Sequence, residues 1–114
     1  MKIEKFEDII AWKKAEELTI KIYTEFSKSK DFGFRDQICR ASVSIMNNIA
    51  EGFERNTDKE FKFFLFIAKG SCGEVRSMLH LAKSLKYLDE EKCNGLTSLS
   101  SEISRIIAGL IKKL

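Results

Sequence analysis

Proline is absent from this chain of 114 residues, and glycine is scarce, with six positions. All-β architectures depend on many tight turns that use these two residues, so the composition argues against them. No apolar run approaches the roughly 20 residues that a transmembrane helix needs. The first residues are charged, whereas a signal peptide is apolar. We therefore expect a cytoplasmic protein with no membrane partner.

Groups that perform catalysis or hold metals are also few. His80 is the only histidine, which leaves too few partners for a metal site or a histidine–carboxylate relay. The cysteines Cys39, Cys72 and Cys93 are odd in number and far apart, so we expect reduced and mostly buried thiols. Spacing leaves a Cys39–His80 pair open. We expect no catalytic residue, no cofactor and no metal, and hence no enzyme.

What is present suits one globular domain, residues 1–114, with 44% hydrophobic and 11% aromatic residues. The net charge of +3 and the pI of about 8.8 permit a polyanionic partner. They fall short of the pI above about 9 that is typical of a dedicated nucleic-acid module.

Apolar residues recur three and four positions apart in four segments, which predicts an all-α fold. Thr57 and Glu60 form a capping box before the third segment, and Asp89 opens the fourth. Short connections favour an antiparallel up-down four-helix bundle. The predicted helices span residues 8–29, 34–55, 58–86 and 90–113.

The third predicted helix is long and carries two apolar stripes, so we expect neighbours to enclose it, some of them from another subunit. One stripe is Phe61, Leu65, Ala68, Cys72, Val75, Leu79 and Ala82. The other is Phe63, Phe64, Ile67, Gly70, Ser71, Met78, Leu81 and Leu85. Gly70 and Gly73 weaken a helix interior, which predicts close approach beside Ala41 or Ala50 of the second helix. The alternative is that these glycines are merely tolerated.

Polar side chains follow the second helix at helical spacing, although Ser and Asn are poor mid-helix residues. A carboxylate on an apolar stripe of the third helix, Glu74, needs donors if it is buried. We hypothesise that Glu74 meets Arg40 in a buried network that locks the two helices together. Its predicted members are Arg40, Ser44, Asn48, Glu51, Ser71 and Glu74. The alternative is that Glu74 points past the stripe into solvent.

A basic face follows the third helix on a side that carries neither apolar stripe. An aromatic ring among lysines can stack on a nucleic-acid base or fill a subunit interface. We predict a nucleic-acid or partner face made of Lys59, Lys62, Phe66, Lys69, Arg76 and Lys83. The alternative is an ordinary, isolated exposed aromatic residue at Phe66.

Motifs along nearly the whole chain resemble those of a bacterial family. They are Phe6-x-Asp8-Ile9-x-x-Trp12-x-x-Ala15, Gln37-Ile-x-Arg40-Ala41-x-x-Ser44-Ile45-x-x-Asn48-Ile49-Ala50-Glu51-Gly52, and Glu60-Phe61, Leu65, Ala68, Gly70-Ser71 and Glu74. The chain thus resembles the bacterial four-helix bundle proteins, also called 23S rRNA-intervening-sequence proteins. Family members often have Pro at Met46, Thr at Arg35, and Pro and Glu in place of Ser27-Lys-Ser-Lys30. These departures put the shapes of the connections in question, and one of them removes a capping hydroxyl.

The resemblance implies a ring-like homo-oligomer, typically a pentamer. It also implies a link to rRNA intervening sequences or, in a related branch, to the reverse transcriptase of diversity-generating retroelements. We expect a non-enzymatic homo-oligomer that binds RNA or DNA. The alternative is a protein-interaction scaffold, for example a reverse-transcriptase accessory, that binds no nucleic acid.

Overall fold

The computed structural model describes residues 3–114, which form four α-helices and no strand. A short 3-10 turn, Phe6–Asp8, precedes the first helix. The prediction of an all-α fold with four helices is confirmed. Among the described residues, no helix combines the length and the apolarity that crossing a membrane requires. The helices are α1 (Ile10–Phe26), α2 (Phe32–Phe53), α3 (Asp58–Ser84) and α4 (Glu90–Lys112).

Side-chain caps fix where α3 and α4 begin. The Thr57 hydroxyl accepts a hydrogen bond from the Glu60 N–H at 3.1 Å. The Glu60 carboxylate accepts in return from the Asn56 N–H at 3.2 Å, one residue earlier than in a standard capping box. At α4, the Asp89 carboxylate accepts from the Lys92 N–H at 2.8 Å. Each cap satisfies an amide that the helix itself leaves without a partner.

The α2 helix begins at Phe32, before the predicted start at Phe34. Its cap is Asp31, whose carboxylate accepts from the Phe34 N–H at 3.1 Å. The same carboxylate accepts from the Tyr87 hydroxyl at 2.7 Å, which ties the first connection to the third. Because Asp31 supplies the cap, α2 does not need the hydroxyl that the family often places at position 35.

The α3 helix ends at Ser84 through a left-handed residue, two residues before the predicted end. Lys86 has a φ of 60°, and the Tyr87 N–H donates to the Ala82 carbonyl at 2.9 Å. This is the hydrogen-bond pattern of a Schellman motif, in which glycine usually occupies the left-handed position. The turn sends the chain into α4.

Buried apolar residues from every helix form a common core. Contacts join α1 to α2, α2 to α3, α3 to α4 and α4 back to α1. The molecule measures 43 × 21 × 19 Å, and the 27 residues of α3, at about 1.5 Å each, span nearly all of its length. Large side chains with almost no exposed surface are Leu18, Ile22, Phe26, Ile38, Ile45, Ile49, Leu65, Val75, Leu79, Ile103 and Ile107.

Only one of the two α3 stripes is covered within the chain. The stripe from Phe61 to Ala82 is buried, whereas most large side chains of the other are exposed. The expectation that neighbours enclose α3 is therefore wrong for the single chain, because α2 and α4 cover only the inner part of the helix. We call the exposed residues the outer strip: Phe63 (60% exposed), Ile67 (39%), Leu81 (48%) and Leu85 (47%).

Close approach between α2 and α3 occurs at Gly52, and the prediction for Gly70 and Gly73 is wrong within the chain. A Cβ at Gly52 would lie 2.7 Å from the Cβ of Phe64. A Cβ at Gly70 would meet nothing within 4 Å, and one at Gly73 would meet only the Arg76 guanidinium at 3.8 Å. Both glycines lie on a side of α3 that no other helix of the chain covers.

Candidate functional site

The polar line of α2 meets α3 through a small hydrogen-bonded cluster. The Ser44 and Ser71 hydroxyl oxygens are 3.0 Å apart. The Asn48 side-chain amide donates to the Ser44 carbonyl at 2.8 Å and to its hydroxyl at 3.0 Å. All three residues are half-buried. The cluster explains why Ser and Asn stand inside α2, because they bridge two helices.

The charged members of the predicted network do not join this cluster, so that part of the prediction is wrong for the single chain. Arg40, Glu51 and Glu74 are exposed. Glu51 pairs with Arg55 at 2.8 Å, and Glu74 accepts a long hydrogen bond of 3.4 Å from Gln37. Within residues 3–114, no ion pair joins Arg40 to Glu74.

The physical reason is their position on the helices. The serines lie where α2 and α3 touch, whereas the longer charged side chains lie at the rim of that contact and extend into solvent. Together they line a shallow groove between the two helices. Water can solvate the carboxylate of Glu74 there, as the alternative interpretation requires. The polar line is therefore a surface feature with a partly buried centre.

The predicted basic face is present along α3. Its members are spaced three, four and seven residues apart, which places them on one side of the helix. Lys59 and Lys69 are exposed, and the Phe66 ring between them keeps 56% of its surface exposed. Lys62, Arg76 and Lys83 are half-buried toward α4, where the Lys83 ammonium donates to the Asn94 side-chain oxygen at 3.1 Å.

Sequence reasoning missed that the outer strip is exposed. It lies on α3 beside the basic face, on the side that turns toward α2. Helical spacing identified its residues as apolar, but spacing alone cannot tell whether a neighbour covers them. The available signal was the pattern of α3 itself, whose apolar girth is wider than two adjacent helices of one chain can cover.

The thiols do not add a reactive centre. Cys39, Cys72 and Cys93 are free and buried, as predicted. Burial raises the pKa of the Cys72 thiol to about 11, which keeps the nucleophilic thiolate scarce near neutral pH. Cys39 lies by the α1–α2 groove, whereas His80 is an exposed residue of α3. Within residues 3–114, no three His, Cys, Asp or Glu side chains come together in a way that could hold a metal ion.

Comparison with known proteins fits this architecture. The chain is similar to a protein of unknown function from the S23 ribosomal protein family of Bacteroides thetaiotaomicron, known from a crystal structure. The TM-score is 0.85 and the sequence identity 26%, over 90% of this chain and 99% of the other. No curated protein matches this chain. The family model described as 23S rRNA-intervening sequence protein matches residues 7–109. The chain therefore belongs to the 23S rRNA-intervening sequence protein family.

Proposed function

We propose that this protein is a non-enzymatic homo-oligomer that binds structured RNA or DNA through the basic face of α3. The observation that carries the proposal is Phe66, an aromatic ring that stays 56% exposed beside lysines on a regular helix. Lysines supply attraction to phosphates that does not depend on base sequence, and an exposed ring can stack on an unpaired base. The family's description associates its members with intervening sequences of 23S rRNA, so structured RNA is the first ligand to test.

The proposal includes an up-down arrangement of the four helices. Contacts between consecutive helices support it, because residue numbers fall along one helix as they rise along the next. Gln37 of α2 bonds to Glu74 of α3, whereas Ser44, further along α2, bonds to the earlier Ser71. A square bundle of this kind exposes the outer side of each helix, which leaves the basic face of α3 available for binding.

Assembly would strengthen phosphate binding. One chain carries a net charge of +3, which is modest for a nucleic-acid-binding protein. A ring of about five copies would carry roughly +15, and several basic faces could then contact one RNA molecule. Multiple contacts raise the overall affinity above that of a single subunit. The pentamer follows from the family resemblance, and the exposed outer strip supports an assembly.

A filter-binding titration with structured RNA at low and moderate salt tests the proposal. We expect binding at low salt that weakens as salt rises, because binding releases counterions from the phosphates. Replacing Phe66 with Ala should weaken binding by roughly fivefold to a hundredfold, the usual effect of removing one stacking partner of a base. Replacing the exposed Phe32 of α2 with Ala is the matched control and should change little. No binding at low salt, or binding that ignores salt, would contradict the proposal.

A second candidate is a protein-interaction scaffold, such as an accessory of a reverse transcriptase, that binds no nucleic acid. The observation that favours it is the outer strip, since an exposed apolar patch on a helix commonly marks a protein contact. Under this candidate, RNA fails to bind at low salt while the assembly stays intact.

A further inference from the structure

The outer strip of α3 lacks a partner within the chain, and its chemistry indicates what covers it. Four large apolar side chains are exposed along one helix. Between them lie Gly70 and Gly73, which cost helix stability, although a Cβ at Gly70 would meet no atom of the chain. Glycines at such positions let another backbone approach closely. The strip therefore fits a helix of a second molecule.

The charge around the strip narrows the choice of that helix. The α3 segment, residues 58–84, carries five basic and three acidic side chains. A two-fold pairing of α3 with itself would place its basic edge beside the same basic edge, and like charges at an interface disfavour association. A complementary partner should be apolar at its centre and acidic around it.

The outer face of α1 has that composition. Ile20 and Tyr23 are 59% and 50% exposed, and the acidic Glu16 and Glu17 stand beside them. Residues 3–26 carry six acidic and four basic side chains, the opposite balance to that of α3. Within residues 3–114, α1 and α3 do not touch each other, because both pack against α2 and α4. The two faces therefore lie on opposite sides of the bundle.

We infer that, in the homo-oligomer, the outer strip of α3 in one copy packs against the outer face of α1 in the next copy. This inference rests on the assembly in the proposed function and names the contact that builds it. The contact is head-to-tail, since it joins two different surfaces. Repeating such a contact forms a ring wherever the rotation between copies closes. It also buries both apolar faces in every copy.

Complementary variants test the contact by light scattering. Ile20→Asp on α1 and Ile67→Asp on α3 change exposed residues, so both variants should fold, as circular dichroism can verify. Each should reduce the assembly to the 13.1-kDa single chain. An equimolar mixture should form a dimer, because each variant keeps the one face that the other lacks. Phe32→Asp, at a residue 61% exposed outside both faces, is the control and should keep the size of the wild-type assembly.

The outcomes separate this inference from the proposed function. A wild-type protein that is itself monomeric would overturn the assembly and the inference together. A wild-type assembly that survives Ile20→Asp unchanged would overturn the inference alone, since it would point to another contact such as self-pairing of α3. Failure of the two variants to form a dimer on mixing would also overturn it.

Discussion

At Gly52, a methyl group would stand 2.7 Å from the Cβ of Phe64, 3.1 Å from the Cδ1 of Phe61 and 3.3 Å from the Phe61 carbonyl oxygen. Ordinary contacts between carbon atoms are about 3.5–4.0 Å. The nearest obstacle is the Cβ of Phe64, which moves only if the backbone of α3 moves. Gly52→Ala therefore forces α2 and α3 apart where the two helices meet the loop between them.

The expected cost follows from two opposing effects. Overpacking a well-packed site costs about 1–3 kcal/mol, whereas Ala in place of Gly in a helix recovers up to about 1 kcal/mol. The free energy of unfolding should fall by about 1–2 kcal/mol. For a domain of this size, the melting temperature should then fall by roughly 5–15 °C.

Thermal unfolding followed by circular dichroism measures this effect, at one fixed protein concentration because an assembly makes the melting temperature concentration-dependent. Gly95→Ala is the matched control, since a Cβ at this α4 glycine would meet nothing within 4 Å. It should leave the melting temperature unchanged or raise it by a few degrees. A Gly52→Ala variant as stable as the wild type would refute the close approach of α2 and α3 at this position.

Three further predictions concern the ends of the helices. Thr57→Ala removes the hydroxyl that caps α3 and should lower the free energy of unfolding by about 1 kcal/mol, measured in urea; an unchanged urea midpoint would show that the cap is not formed. Lys86→Gly relieves the left-handed backbone at φ 60° and should stabilise the protein by about 1 kcal/mol, whereas a loss of stability would contradict the Schellman turn. Tyr87→Phe removes the hydrogen bond to Asp31, which lowers the pKa of that carboxyl and raises the pKa of the Tyr87 hydroxyl. Its destabilising effect should be constant near neutral pH, shrink below about pH 4 as Asp31 protonates, and shrink above about pH 10 as Tyr87 ionises; melting temperatures across pH check this, and a pH-independent difference would contradict it.

Periodicity and capping chemistry were enough to predict the four helices. The Thr57 hydroxyl and the Asp89 carboxylate mark the starts of α3 and α4 in the sequence as clearly as in the structure. The start of α2 was placed too late because Asp31 stands among lysines, serines and Gly33, which together have the composition of a loop. Only the hydrogen bond to Phe34 shows that Asp31 is a cap.

The candidate site was harder to predict, because exposure depends on which helices cover which faces. The Ser44–Ser71 contact followed from the spacing of the polar line, and the structure shows it at 3.0 Å. The burial of Arg40 and Glu74 did not follow. A residue at the rim of a helix contact and a residue at its centre share the same sequence spacing, and a rotation of less than one residue about the helix axis separates them.

The outer strip shows the same limit on a larger scale. Ile67 and Leu81 have the spacing of core residues, yet they are 39% and 48% exposed. Helical spacing reports that a face is apolar, whereas its cover is a property of the whole arrangement. If a second copy provides the cover, the sequence pattern of α3 describes the assembled protein better than the single chain.

The central claim is that the basic face of α3 binds nucleic acid, and the salt dependence of RNA binding tests it most directly. The measurement compares the slope of log affinity against log salt for the wild type, for Lys59→Gln with Lys69→Gln, and for a control with Lys28→Gln and Lys30→Gln. We expect the α3 pair to bind more weakly and with a shallower slope, reduced by about one for each phosphate that a lysine no longer neutralises. The control pair lies in the connection between α1 and α2 and should retain the wild-type slope. Equal slopes for all three proteins would contradict the account.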